Sequence, residues 1–408
     1  MKYIIQSPQI LQPVSIDLPA SKSISNRALI LKALSSSPFN IENLSDCDDT
    51  EVMVASFASN NPEINIGAAG TSMRFLTAYL SQLENEEHII TGTERMKNRP
   101  IRILVDALRQ LGAEIEYVEK EGFPPLKIKG KKLDGGVITL NGSVSSQYIS
   151  ALMMIAPTMK NGLTLKLEGN VISQPYIHLT SKMMQDFGVQ VHWKNNIIQV
   201  NPQNYQPCPY RVESDWSAAS YWYEILALSS NDTSIELSGL YANSPQGDAR
   251  IAGLFEKLGV YTEITPSGVL LRKGKILASE LNYDFVNEPD MAQTFVVSCC
   301  FLNVPFRFTG LQSLKIKETD RIAALQKELK KLGYLISDYQ ESILEWKGER
   351  CEPEENPSID TYEDHRMAMA FAPASLVSGQ IIINDPQVVT KSYPGFWEDL
   401  KKAGFLTF

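Results

Sequence analysis

Glu318 and Arg321 lie three residues apart in the run KIKETDR, a spacing that puts them on neighbouring faces of one helical turn and lets both face one pocket. Two further carboxylates, Asp290 in PDMAQT and Asp364 in EDHR, also stand at the starts of apolar helices. A base and an acid next to bound anions suit proton transfer in both directions. The segment PASKSISNR, residues 19–27, places Lys22, Arg27 and three serines ahead of the apolar run Ala28 to Leu34. Unpaired backbone N–H groups and the positive end of a helix there make an anion site. Taken singly, a polar cap explains such a segment, and a counter-ion role explains any one carboxylate. The surplus of cations at helix starts is harder to explain, because the helix dipole disfavours them there. Lys22, Arg27, Arg74, Arg95, Lys317, Arg321, Arg366 and Lys391 all occupy such positions. They suggest two anion sites, one with Ser145, Ser146 and Ser173, the other gripped by Arg95, Arg321, Arg366 and Lys391.

These residues must be positioned by a repeated framework. Helix-like stretches ending in an apolar residue and glycine, followed by strand-like alternation, close at Gly112, Gly188, Gly259, Gly333 and Gly404, at intervals of 71 to 76 residues. Glycine after the last turn is the usual left-handed helix stop. A second series of helices opens at Ser21, Gly70, Ser145, Asp215, Asp290 and Asp364. Its first interval is about 26 residues short, and residues 48–60 lack the glycine stop and the hairpin that follows it elsewhere. Six repeats with the first abbreviated predict an α/β protein of two three-repeat lobes, residues 1–20 with 215–408 and residues 21–214. A cleft between lobes is the expected ligand site.

Composition narrows the function. A net charge of −9 argues against nucleic-acid binding, which needs a basic face. Five cysteines without CxxC spacing fit reduced thiols in the cytoplasm. Four scattered histidines offer no metal-ligand spacing. No apolar run approaches the ~20 residues that span a bilayer, so no membrane association is expected.

PASKSISNR, AGTSMR, TERMKNRP, SVSSQY, PDMAQT, KIKETDR, DHRMAMA and TKSYPGFW, in that order and over nearly the whole chain, resemble the enolpyruvyl transferases of the shikimate pathway, the 5-enolpyruvylshikimate-3-phosphate synthases. The resemblance implies a two-lobed inside-out α/β barrel of βαβαββ units with crossovers near residues 20 and 215. It implies transfer of the enolpyruvyl group of phosphoenolpyruvate to the 5-hydroxyl of shikimate 3-phosphate, by addition and then elimination, without metal or organic cofactor. It further implies that Lys22, Ser23, Arg27, Ser145, Ser146, Gln147, Ser173, Asp290, Ser313 and Lys317 contact shikimate 3-phosphate. Lys22, Gly70, Arg95, Gln147, Arg321, Arg366 and Lys391 would contact phosphoenolpyruvate. Asp290 would be the base for the hydroxyl, Glu318 would serve protonation of the methylene carbon, and Lys22 would assist as a third catalytic group. A cytoplasmic monomer acting on two small molecules is expected.

The chain departs from the family pattern at Ala68 and Ser313, where asparagine is usual, and at Gln174, where a basic residue is usual. These positions bear on affinity and inhibitor sensitivity more than on reaction type. The sugar-nucleotide enolpyruvyl transferases share the fold but open with an AKN-type segment and often carry a reactive loop cysteine. RNA 3′-phosphate cyclases fit neither the acidic charge nor the absence of their histidine motif. A catalytically inactive binding protein would explain the shortened repeat, but not the retained acid, base and arginines.

Overall fold

The computed structural model describes residues 1–408, the side chain of Ile316 excepted. The chain forms two compact units, Met1–Pro19 with Glu213–Phe408, and Ala20–Val212. Each has its own apolar core.

One repeat shows how the sequence builds the rest. Strand Glu63–Asn65 leads through helix Gly70–Leu80 to strand Glu87–Thr91, which pairs parallel to it. Helix Arg102–Gln110 then stops at Gly112, whose φ of 102° is open to glycine but strained for other residues. The hairpin Glu114–Tyr117 and Leu126–Lys129 folds back and adds antiparallel to the edge. Gly188, Gly259, Gly333 and Gly404 close their helices in the same left-handed region, as the spacing predicts. Five four-stranded sheets result, three in the first unit and two in the second.

The sixth sheet has only two strands, Ile41–Glu42 parallel to Tyr210–Arg211. Its helix, Asp48–Ala58, ends on Ser59 in an extended conformation, and the chain runs straight on to Glu63–Asn65 of the next sheet. The abbreviated repeat therefore lacks its hairpin.

The first helix of each repeat is buried on nearly every side, as a helix surrounded by others must be. Trp216–Leu228, Ala292–Phe301 and His365–Phe371 pack on one another in the first unit. Lys22–Leu34, Gly70–Leu80 and Ser146–Ile155 do so in the second. Outer strands such as Leu163–Glu168 alternate buried and open side chains, so each sheet covers the helices with one face. Helices inside and sheets outside are the inside-out arrangement that the family resemblance implies.

One residue conflicts with this apolar centre. Glu224, in helix Trp216–Leu228, is fully buried, accepts one hydrogen bond from Ser298 Oγ at 3.2 Å, and has Oε2 without a hydrogen-bond partner. Burial holds its carboxyl well above the ordinary range, so it stays protonated when folded. Above about pH 4.3 the unfolded chain ionises this group while the folded chain does not, so stability falls as pH rises. Glu224→Gln removes that slope. We expect it to gain ~1–3 kcal/mol at pH 8 and nothing measurable at pH 4, read from melting temperatures at both values.

Candidate active site

In the first unit the charged residues named from sequence converge on one guanidinium. Arg321 is the first residue of helix Arg321–Lys331, whose start is capped by Asp320 accepting from the Ala323 backbone N–H. Its side chain, 1 % exposed, donates to three carboxylates. Nε and Nη2 reach Asp364 at 2.7 and 3.4 Å, Nη1 reaches Asp290 at 2.8 Å, and Nη2 also reaches Glu318 at 2.8 Å. Asp364 is itself fully buried and uses Oδ1 to cap helix His365–Phe371 through the Arg366 N–H at 2.9 Å. This one carboxylate orients both arginines.

Asp290 stands in the short 3-10 turn Pro289–Met291 that leads into helix Ala292–Phe301. Besides Arg321, it meets Arg366 Nη2 at 3.2 Å and Lys317 Nζ at 3.4 Å. Burial alone would raise its pKa, but the charges of Arg366, Lys317 and Arg321 outweigh it and hold the carboxyl well below the usual range. Asp290 is therefore ionised at neutral pH, the form a base requires. Behind it, Asp248 accepts from Ser217 Oγ, and burial together with the Asp290 charge pushes its carboxyl up to about 7. Neither Asp248 nor Ser217 belongs to a motif with evident chemistry, so only the fold reveals them.

Lys391 ends the 3-10 helix Pro386–Lys391 and donates to the Glu363 carbonyl at 2.7 Å. Ser313 lies in the 3-10 helix Gln312–Ile316, immediately before Lys317 and Glu318. Asp290, Lys317, Glu318, Arg321 and Arg366 thus form a directly bonded group, with Lys391 attached to the loop that precedes Asp364.

The second unit holds the serine-rich half. Arg27 sits in the second turn of helix Lys22–Leu34 and is 2 % exposed. It donates to Thr180 Oγ1 at 2.7 Å, the Ser23 carbonyl at 2.8 Å, Ser150 Oγ at 3.2 Å and the Tyr176 carbonyl at 3.3 Å, and it lies over the Phe75 ring. Burial lowers its pKa to about 10, which leaves it charged at neutral pH. With so many N–H groups spent internally, Arg27 ties helix Lys22–Leu34 to Ser146–Ile155 and Gln174–Asp186. Ser145 caps helix Ser146–Ile155 by accepting from the Gln147 N–H, and Gln147 Nε2 donates to Thr71 Oγ1 at 3.2 Å. Ser173 precedes helix Gln174–Asp186 in the left-handed region, a conformation uncommon for serine. Lys22 and Ser23, both half-buried, begin the helix that Arg27 anchors.

Gly70 opens helix Gly70–Leu80, and what crowds it is informative. A Cβ there would lie 2.6 Å from Nη1 of Arg99 and 2.9 Å from Nη1 of Arg74. Arg95 occupies the short helix Glu94–Lys97, and Arg99 of the same segment reaches the Gly70 helix start. Arg99 is not among the candidates that the sequence marks, because its approach to Gly70 depends on the path of the chain.

A buried guanidinium shared by three carboxylates in one unit, and polar helix starts around a buried arginine in the other, are carried on a repeat-built α/β scaffold. The signature described as EPSP synthase (3-phosphoshikimate 1-carboxyvinyltransferase) matches residues 11–59 and 55–400. The chain is 60 % identical over 406 residues to the 3-phosphoshikimate 1-carboxyvinyltransferase of Bacteroides fragilis, covering 99 % of this chain and 98 % of that protein. It is 36 % identical to that of Vibrio cholerae, covering 95 % and 97 %. The solved EPSP synthase of Acinetobacter baumannii has the same fold, with a TM-score of 0.78 over 100 % of this chain and 99 % of that one at 21 % identity. The chain belongs to the EPSP synthase family, as its motifs suggest.

Proposed function

We propose that this protein is a 3-phosphoshikimate 1-carboxyvinyltransferase. It joins the enolpyruvyl group of phosphoenolpyruvate to the 5-hydroxyl of shikimate 3-phosphate and releases phosphate. The observation that carries the reading is Arg321 donating to Asp290 and Glu318 at 2.8 Å each, which holds a base and an acid on one cation. Asp290 takes the proton of the attacking hydroxyl as the new C–O bond forms at C2 of phosphoenolpyruvate. Glu318 delivers a proton to the methylene carbon, giving the tetrahedral adduct. Removal of a methyl proton and departure of phosphate then restore the double bond. An incoming anionic substrate shares Arg321 and Arg366, which relieves the charge holding Asp290 and makes that carboxylate more basic.

Lys22, Ser23, Arg27, Ser145, Ser146, Gln147, Ser173, Asp290, Ser313 and Lys317 bind shikimate 3-phosphate in this reading. Lys22, Gly70, Arg95, Gln147, Arg321, Arg366 and Lys391 hold phosphoenolpyruvate, with Arg99 beside the Gly70 helix start. The protein works as a cytoplasmic monomer on two small molecules. Its five free cysteines fit that location, and no helix among the described residues is long and apolar enough to cross a membrane. Phosphate release with phosphoenolpyruvate and shikimate 3-phosphate, against a UDP-sugar acceptor as control, tests the assignment. Release with neither acceptor, or only with the UDP-sugar, overturns it.

The crowding at Gly70 adds a measurement. Gly70→Ala must push the flexible ends of Arg99 and Arg74 aside, while the helix backbone can stay in place. We expect a KM for phosphoenolpyruvate raised by about 10-fold or more with the melting temperature nearly unchanged, because small displacements of positioning groups are costly. Steady-state kinetics and thermal melting check it.

A further inference from the structure

Immediately before Asp364, two consecutive residues that are neither glycine nor asparagine lie in the left-handed region, Tyr362 at φ 53° and Glu363 at φ 55°. The Asp364 N–H donates to the Thr361 carbonyl at 2.8 Å and closes a tight turn around the pair, whose side chains are of a kind that rarely adopts positive φ. Two contacts on helix Arg321–Lys331 hold that turn in place. Asp364 binds Arg321 at its start, and the Tyr362 hydroxyl donates to Glu328 two turns further on. Glu328 is fully buried and held in turn by Lys331 Nζ at 2.6 Å and the Asp360 N–H at 3.0 Å. The strained pair turns the Glu363 carbonyl to Lys391 and delivers Asp364 as the cap that orients Arg366.

We infer that Tyr362, clasped by Glu328, is a positioning residue for phosphoenolpyruvate, acting through Lys391 and Arg366. The inference rests on those two cations serving as phosphoenolpyruvate ligands. Without the clasp, the pair relaxes toward negative φ, the carbonyl leaves Lys391, and the two cations lose their common alignment.

The test is Tyr362→Phe, which keeps the ring and removes only the hydroxyl. Expected are a KM for phosphoenolpyruvate at least about fivefold higher, kcat within about threefold, and an unchanged calorimetric Kd for shikimate 3-phosphate. Adding Glu363→Gly should recover most of the lost KM, since glycine holds a positive φ without strain. Glu328→Gln, which weakens the same clasp from the other side, should move KM in the same direction and serves if Tyr362→Phe does not fold. An unchanged KM, equal weakening of both substrates, or no recovery with Glu363→Gly would overturn the inference. Wild-type turnover separates this from the functional assignment. If the wild type releases no phosphate the assignment fails, whereas a normal wild type with an unshifted variant sinks only the role of Tyr362.

Discussion

Arg321→Lys is expected to lower kcat/KM for phosphoenolpyruvate by at least about 100-fold, although the charge is kept. Lysine has one compact ammonium group, whereas Arg321 spreads its donors over Asp364, Asp290 and Glu318 in a fixed fork. Asp364 is fully buried, and losing its paired donors leaves a carboxylate without full compensation. Breaking a buried pair in this way costs ~3–5 kcal/mol, so a lower melting temperature should accompany the kinetic loss. Steady-state kinetics and calorimetry on the same preparation read both effects. Retained turnover with only a lower melting temperature would reduce Arg321 to a structural tie.

Asp290→Asn should be the other severe change, with kcat falling about 10²- to 10⁴-fold while shikimate 3-phosphate still binds. Glu318→Gln should behave alike. Stability gives an independent readout for Asp290. Its pKa is depressed when folded, so its pairing stabilises the native state above the unfolded value of about 3.9 and that contribution is lost as pH falls through the folded value. Asp290→Asn should therefore destabilise at pH 7 and lose this penalty in acid. Calorimetry showing that Asp290→Asn and Glu318→Gln both abolish shikimate 3-phosphate binding would contradict the assignment of base and acid.

The framework was legible because it is written in local chemistry. Gly112, Gly188, Gly259, Gly333 and Gly404 mark helix stops with a residue chosen for its backbone, and a helix as predominantly apolar as Trp216–Leu228 belongs at the centre. The missing stop after Asp48–Ala58 announced the two-stranded sheet. The Glu318–Arg321 pairing followed from helical spacing, which fixes direction over one turn. What spacing cannot fix is aim across loops. Arg95 and Arg99 share one segment, and spacing alone does not say that Arg99 crowds the start of the Gly70 helix. Arg27 was legible as a cation but not as a buried tie, because its partners Ser150, Tyr176 and Thr180 are more than a hundred residues away. The clasp of Tyr362 on Glu328 has no motif at all, being a product of two adjacent left-handed residues.

The way the first unit is closed also sets an order of events during synthesis. Strand Lys2–Gln6 is central in its sheet, between Gln380–Asn384 and Leu406–Thr407. Its nearest paired residue, Gln380, is 374 positions downstream of Gln6. At ordinary ribosomal speed the strand waits roughly 20 to 75 s for that partner. The second unit, by contrast, has all its residues once Val212 has emerged. The nascent chain thus carries a finished domain with an open apolar strand, KYIIQ, upstream of it, and that strand is where a chaperone would find its longest-lived target.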